Sequence, residues 1–188
     1  MLSSIKVRTS KVLNPLTDLL ARLGVKPNHL TLLGLVFGFL CAYAIYLGKL
    51  LLSAVLLILS GLMDVLDGAL ARNRGLVSDF GGVLDSVLDR YVDIAIFLAL
   101  GFYLDWFLAV FAMSGALMVS YTRARAEKVV ERCDVGIAER GERLILILIG
   151  LLFPFFLRWI LLLVGVLSHI TAVHRVLYTY KKLKRPSS

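Results

Sequence analysis

The alternation of hydrophobic and polar positions divides the chain into six apolar stretches separated by polar connections of unequal length. They run over Leu30–Leu47, Leu50–Leu70, Phe80–Phe102, Trp106–Tyr121, Leu144–Leu157 and Trp159–Tyr180. With their flanks they approach the roughly 18–24 residues a helix needs to cross a hydrocarbon core about 30 Å thick. The fourth and fifth are short as purely apolar runs and reach that length only with polar neighbours. Pro154 interrupts the fifth, and Asp105 marks a tight turn before the fourth. The pattern predicts an all-α integral membrane protein with six transmembrane helices.

Ahead of the first stretch, Asn14-Pro15 is followed by Leu16, Leu19, Leu20 and Leu23 and then Gly24. Asn as N-cap, Pro in the first helical position and Gly just past the end describe a short helix. Its leucine stripe and neighbouring cations suit a helix lying in the membrane interface, although a linker helix packed on the bundle fits equally. No internal repeat is visible. Residues 1–188 read as one membrane domain, with residues 1–26 as an interfacial N-terminal segment and residues 181–188 as a basic tail.

Composition agrees. The chain is 59% hydrophobic with a mean hydropathy of +0.85, too apolar for a soluble core to conceal. Its +8 formal charge is distributed by topology. Of 21 Lys and Arg, eighteen fall in the N-terminal segment, at Arg72 and Arg74, between Arg123 and Arg143, and between Arg175 and Arg185. Only Lys49 and Arg158 lie on the alternate connections, and Arg90 is within a stretch. The positive-inside rule therefore predicts a multi-pass protein of the cell membrane with both termini and the longer loops cytoplasmic. Such charge reads as topology and contact with anionic lipid, not nucleic-acid binding. The two cysteines, Cys41 and Cys133, suggest neither a disulfide nor a metal knuckle.

Ionisable groups inside apolar stretches are costly and point to function. Asp64 and Asp67 lie three apart, and Asp85, Asp89 and Asp93 follow at intervals of four, so each set shares a helix face. The intervening connection puts both faces at the cytoplasmic edge. Helix-end stabilisation accounts for Asp79 and partly for Asp85, but Asp89 and Asp93 lie too deep for it. Four or five converging carboxylates repel unless a divalent cation neutralises them, and an all-oxygen set favours Mg2+, Mn2+ or Ca2+ over zinc. Gly68, Gly81 and Gly82 leave room for a ligand beside the backbone.

Together these residues read Asp64-x-x-Asp67-Gly68-x-x-Ala71-Arg72, eight residues, then Gly81-x-x-x-Asp85-x-x-x-Asp89. This resembles the signature of the CDP-alcohol phosphotransferase family at every specified position. The Pro27-Asn28-x-x-Thr31 opening of the first stretch also resembles that family. The resemblance implies transfer of a substituted phosphate from a CDP-linked donor to an alcohol with release of CMP, a homodimer, and two divalent cations, Mg2+ or Mn2+. It implies Asp64, Asp67, Asp85 and Asp89 as metal ligands, with Asp89 also the general base. It further implies Asn28, Thr31, Asp64, Gly68, Ala71 and Arg72 at the CDP donor.

Three further stretches, Ser120-Tyr121-Thr122-Arg123-Ala124-Arg125-Ala126-Glu127, Gly136-Ile137-Ala138-Glu139-Arg140-Gly141-Glu142-Arg143-Leu144 and Ala172-Val173-His174-Arg175, are similar to those of phosphatidylinositol-phosphate synthases and their archaeal counterparts. That similarity implies an inositol phosphate acceptor. Ser120, Arg123 and Arg175 would hold its phosphate, and Arg140 or Arg143 would shape the pocket. Arginine suits phosphate because its planar fork binds two oxygens at once. The donor is expected to be CDP-diacylglycerol or CDP-archaeol. Glycerol phosphate is the alternative acceptor, and a divalent-cation transporter is the alternative from another class.

Overall fold

The computed structural model describes residues 15–184, all of whose regular structure is helical. Residues 15–22 form α1. It is followed by α2 (Pro27–Tyr46), α3 (Leu50–Asn73), α4 (Asp79–Tyr103), α5 (Trp106–Ala126), α6 (Arg140–Leu152), a 3-10 turn at Pro154–Phe156 and α7 (Leu157–Lys184). Asn14, the expected cap of α1, and residues 185–188 of the expected tail lie outside the described residues. Gly24, at φ 75°, closes α1 through bonds from Val25 N to Leu20 O (3.0 Å) and Gly24 N to Ala21 O (3.1 Å), an arrangement that favours glycine.

One leucine of the α1 stripe turns inward. Leu20, with Ala21 and Val25, packs on Leu30, Leu66 and Leu70, whereas Leu16, Leu19 and Leu23 stay exposed. The polar side is tied to the end of α3, where Asn73 Nδ2 donates to Thr17 Oγ1 (3.0 Å) and Arg74 pairs with Asp18 (2.8 Å). Thus α1 is packed on the bundle while presenting an apolar face outward.

α2 lies between α3 and α4. Ser60 Oγ donates to the Gly34 carbonyl at 2.9 Å, and a Cβ at Gly38 would lie 2.5 Å from Val92 Cγ2. α5 and α7 cross as closely, with Gly115 against Ser168 and Gly165 against Phe111. Small residues at crossings are how helices approach in lipid, where apolar burial offers little drive for association. The shared core contains Cys41, Ile45, Leu57, Ile96, Phe97, Leu100, Ile147, Leu161 and Val164.

The exterior is apolar. Phe155, Phe107 and Leu51 are 84%, 80% and 71% exposed, an outward display of large apolar side chains that suits contact with lipid. Four helices among the described residues are long and apolar enough to cross a membrane: α2, α3, α5, and the Pro154–Lys184 stretch containing α7. The protein is therefore an all-α membrane protein. The other two expected spans exist as helices but differ in character. α4 is long enough at 25 residues yet carries Asp85, Asp89, Arg90 and Asp93. α6 has 13 residues, about 20 Å at 1.5 Å per residue. It ends early because proline lacks an N–H and disfavours helical geometry in the residue before it. Leu157 consequently opens α7 instead of closing the fifth segment.

Candidate active site

Alternate helices bring their ends to one side of the bundle. The start of α2, the end of α3, the start of α4, the end of α5, the start of α6 and the C-terminal half of α7 supply every residue expected at the site. α4 is started by Ser78, whose Oγ accepts from Gly81 N at 3.0 Å, a regular N-cap.

Asp64, Asp67 and Asp85 each offer a carboxylate oxygen, and these oxygens lie within 4.8 Å of one another. Asp89 joins them around a cavity of about 10 Å³ that Thr31 and Arg140 also line, space for a water-sized occupant. The expected convergence of two acidic faces is thus present. It occurs around α2, whose Thr31 Oγ1 donates to Asp67 Oδ2 at 2.7 Å and fixes that carboxylate's orientation. Arg140 Nη1 lies 3.2 Å from Asp64 and 2.9 Å from Asp89. Its Nε is 3.5 Å from Asp93.

A divalent cation fits these donors. All are carboxylate oxygens, the hard ligands that Mg2+ and Mn2+ prefer. Asp85 Oδ1 is buried with no hydrogen-bond partner, a costly condition for a buried acceptor that a bound cation relieves.

A cleft of about 310 Å³ opens beside the acidic cavity and shares Thr31, Asp67 and Asp85 with it. Asn28, Gly68, Ala71 and Arg72, all expected at the donor, line it. Asp64, also expected there, lines the smaller cavity instead. Gly81 and Gly82, expected to leave room for a ligand, line it too, whereas Ser78, Leu76 and Val77 do so without having been singled out in the sequence. A side chain added at Gly82 would meet nothing within 4 Å, so its backbone is open to a ligand. Ser78 was legible in principle, as the capping residue three positions before Gly81.

The expected acceptor arginines divide into two pairs. Arg143, 2% exposed, turns inward, donating to Asp93 Oδ2 (3.0 Å) and the Ala138 carbonyl (2.9 Å). With Arg140 it gives Asp93 its partners, and this buried pair joins α4 to α6. Arg175, 1% exposed, donates to the carbonyls of Val119 (2.7 Å) and Val135 (2.8 Å) and to Glu139 Oε1 (3.1 Å). Arg123 bonds Glu127 and Asp134, each at 2.9 Å, and reaches Glu139 at 3.5 Å. Ser120 adjoins Val119 and bonds back to the Ala116 carbonyl at 3.5 Å.

The 127–139 connection is held against α7. Ile137 N and Ala138 N both donate to Thr171 Oγ1, at 3.2 and 3.1 Å. Gly136, at φ 128°, packs so closely that a Cβ would lie 2.3 Å from Thr171 Cγ2. Only glycine meets both demands. Glu139 and Thr171 had no role in the sequence reading, although Glu139 directly precedes Arg140 in a stretch that was noted.

Comparison with known proteins agrees with this geometry. Residues 25–172 match the family model described as CDP-alcohol phosphatidyltransferase. The archaetidylinositol phosphate synthase of Pyrococcus horikoshii is 41% identical over 98% of this chain and 99% of its own length. Among solved structures, the Mycobacterium tuberculosis phosphatidylinositol phosphate synthase with CDP-DAG bound superposes with a TM-score of 0.83 at 32% identity, covering 95% of this chain and all of that one. The same enzyme in complex with manganese and citrate gives a TM-score of 0.80 at 34% identity over 88% of both chains. With its acidic cluster and adjoining cleft built from the signature residues, and with that family model matched from before α2 into α7, the chain belongs to the CDP-alcohol phosphatidyltransferase family.

Proposed function

We propose that the protein transfers a diacylglycerol- or archaeol-phosphate group from a CDP-linked lipid to a hydroxyl of inositol phosphate, releasing CMP. The observation that carries this reading is the shared wall between the carboxylate cavity and the 310 Å³ cleft, with arginines from α5, α6 and α7 at the same end of the bundle. Asp64, Asp67, Asp85 and Asp89 hold two divalent cations, Mg2+ or Mn2+. These ions, when bound, neutralise the pyrophosphate and the departing CMP.

The remaining roles fall to side chains. Asn28, Thr31, Gly68, Ala71 and Arg72 receive the CDP moiety, with Thr31 also bracing Asp67 through its 2.7 Å bond. Asp89 takes the proton from the acceptor hydroxyl as that oxygen bonds to the lipid-bearing phosphorus and the bond to CMP breaks. Ser120, Arg123 and Arg175 receive the acceptor's phosphate. Arg140 shapes the acceptor pocket beside the acidic cavity, and Arg143 supports it through Asp93.

The surrounding architecture follows from the same reading. Residues 1–188 form one domain whose six helices α2–α7 enter the membrane, with both termini and the active site cytoplasmic, in keeping with the Lys and Arg distribution. Two such chains form a homodimer.

The test is an acceptor panel. Purified protein in Mg2+ or Mn2+ is given CDP-archaeol or CDP-diacylglycerol together with inositol phosphate, glycerol phosphate, serine or free inositol, and CMP release is measured. Turnover with inositol phosphate and little with free inositol is expected. Turnover with glycerol phosphate alone would reject the assigned acceptor and retain the transferase chemistry.

A further inference from the structure

Arg123 and Arg175 are opposed by more negative charge than they carry. Arg123 contacts Glu127, Asp134 and Glu139, and Arg175 contacts Glu139. Three carboxylates paired with two guanidinium groups more than offset the charge of those two groups, which weakens their pull on a phosphate. A phosphate reaches the donors that these acids hold only by displacing one of them.

The three acids are not equivalent. Glu127 sits one turn beyond Arg123 on the same chain segment, and Asp134 pairs, among the described residues, with Arg123. Glu139 Oε1 is the oxygen that touches both arginines, at 3.1 Å from Arg175 and 3.5 Å from Arg123. Its backbone occupies the position before α6 in an extended conformation, yet its side chain makes no capping bond to that helix. The carboxylate can therefore rotate away without unwinding α6. It is about one-third exposed, so it has somewhere to go.

Resting on the reading of a phosphorylated acceptor, we infer that Glu139 is a specificity-determining residue: its carboxylate fills the Arg123–Arg175 cradle and yields only to the dianionic phosphate of the acceptor. A carboxylate tethered beside its partners acts at high effective concentration. A neutral alcohol does not displace it, and a singly charged group competes poorly. A phosphate succeeds because it brings two charges and several oxygens to guanidinium forks. Glu139 thus weakens binding of the proper acceptor while excluding unphosphorylated ones.

The experiment uses the full-length enzyme and two readouts, KM for inositol phosphate and the inhibition constant of inorganic phosphate. In Glu139→Gln both fall about fivefold with kcat little changed, the size expected for removing a partly exposed ion pair. Arg123→Gln, in contrast, raises both. A rise in both constants for Glu139→Gln, alongside the rise for Arg123→Gln, would make Glu139 a brace for the arginines and overturn the inference while leaving the acceptor reading intact. Unchanged constants in both variants would instead remove the phosphate site from these residues. Glu139→Asp keeps the charge but withdraws it by one methylene, and a smaller fall is expected. If neither Glu139 variant yields folded protein, the residue is structural and the inference fails.

Discussion

On the α3–α4 side of the site, Asp85 has a buried oxygen with no partner, and Asp64 and Asp89 share the guanidinium of Arg140. On the α5–α7 side, Arg175 is bonded to two carbonyls and a carboxylate, and Arg123 to three acids. One region is short of positive charge and the other is already compensated. The difference teaches how each would receive its ligand on the proposed reading: the carboxylates would gain an ion, whereas the arginines would exchange one. It also separates residues that touch the reacting groups from those that hold the frame, since Arg143 and Asp93 belong to neither exchange.

The largest expected effect comes from the acid-rich side. Asp89→Asn should lower kcat by roughly a thousandfold, the range a lost general base produces. The variant should keep its elution profile in detergent and its binding of a CDP-lipid. Near-normal turnover would remove Asp89 from its assigned role and with it the chemical contrast between the two regions.

The frame comes next. Asp93→Ala leaves Arg143 buried without its carboxylate and should destabilise the protein by about 3–5 kcal/mol, the usual result of removing one partner of a buried pair. The double change Asp93→Leu with Arg143→Leu should recover most of that loss in thermal unfolding, because no buried charge is left uncompensated. Failure of the double variant to recover would mean that the pair does more than join α4 to α6.

The smallest effect is expected outside both regions. Arg74→Ala breaks the exposed pair with Asp18, where both side chains are open to solvent. Such pairs contribute about 0–1 kcal/mol, so the unfolding midpoint and acceptor KM should barely move. A marked loss of donor affinity would show that α1 acts on the neighbouring cleft through the end of α3.

Much of the acidic side was legible because helical periodicity alone determines it. Asp64 with Asp67, and Asp85 with Asp89, share faces by spacing. Asn28, Gly68, Ala71 and Arg72, which line the cleft, were legible through the family resemblance and not through spacing. Family membership then selects the transferase reading over the divalent-cation transporter. The basic side was legible only as residue types. Arg140 and Arg143 are three apart near the start of one helix, yet one faces Asp64 and Asp89 while the other is buried against Asp93. Those partners lie 76 residues away for Asp64 and 50 for the Asp93 bond, beyond what local pattern can specify. Cys133, in a loop that reads as polar, is fully buried because that loop is pinned to α7.

The sequence by itself determined that this is a helical membrane protein, which apolar stretches are its helices, and that carboxylates from α3 and α4 face a common side. These follow from composition and from periods of three to four residues, which act within one helix. Only the tertiary structure decided that α2 separates the two acidic helices and that Glu139 bridges Arg123 and Arg175. Those outcomes depend on how helices distant along the chain approach one another, and a close approach is governed by small residues and paired charges whose partners no local pattern names.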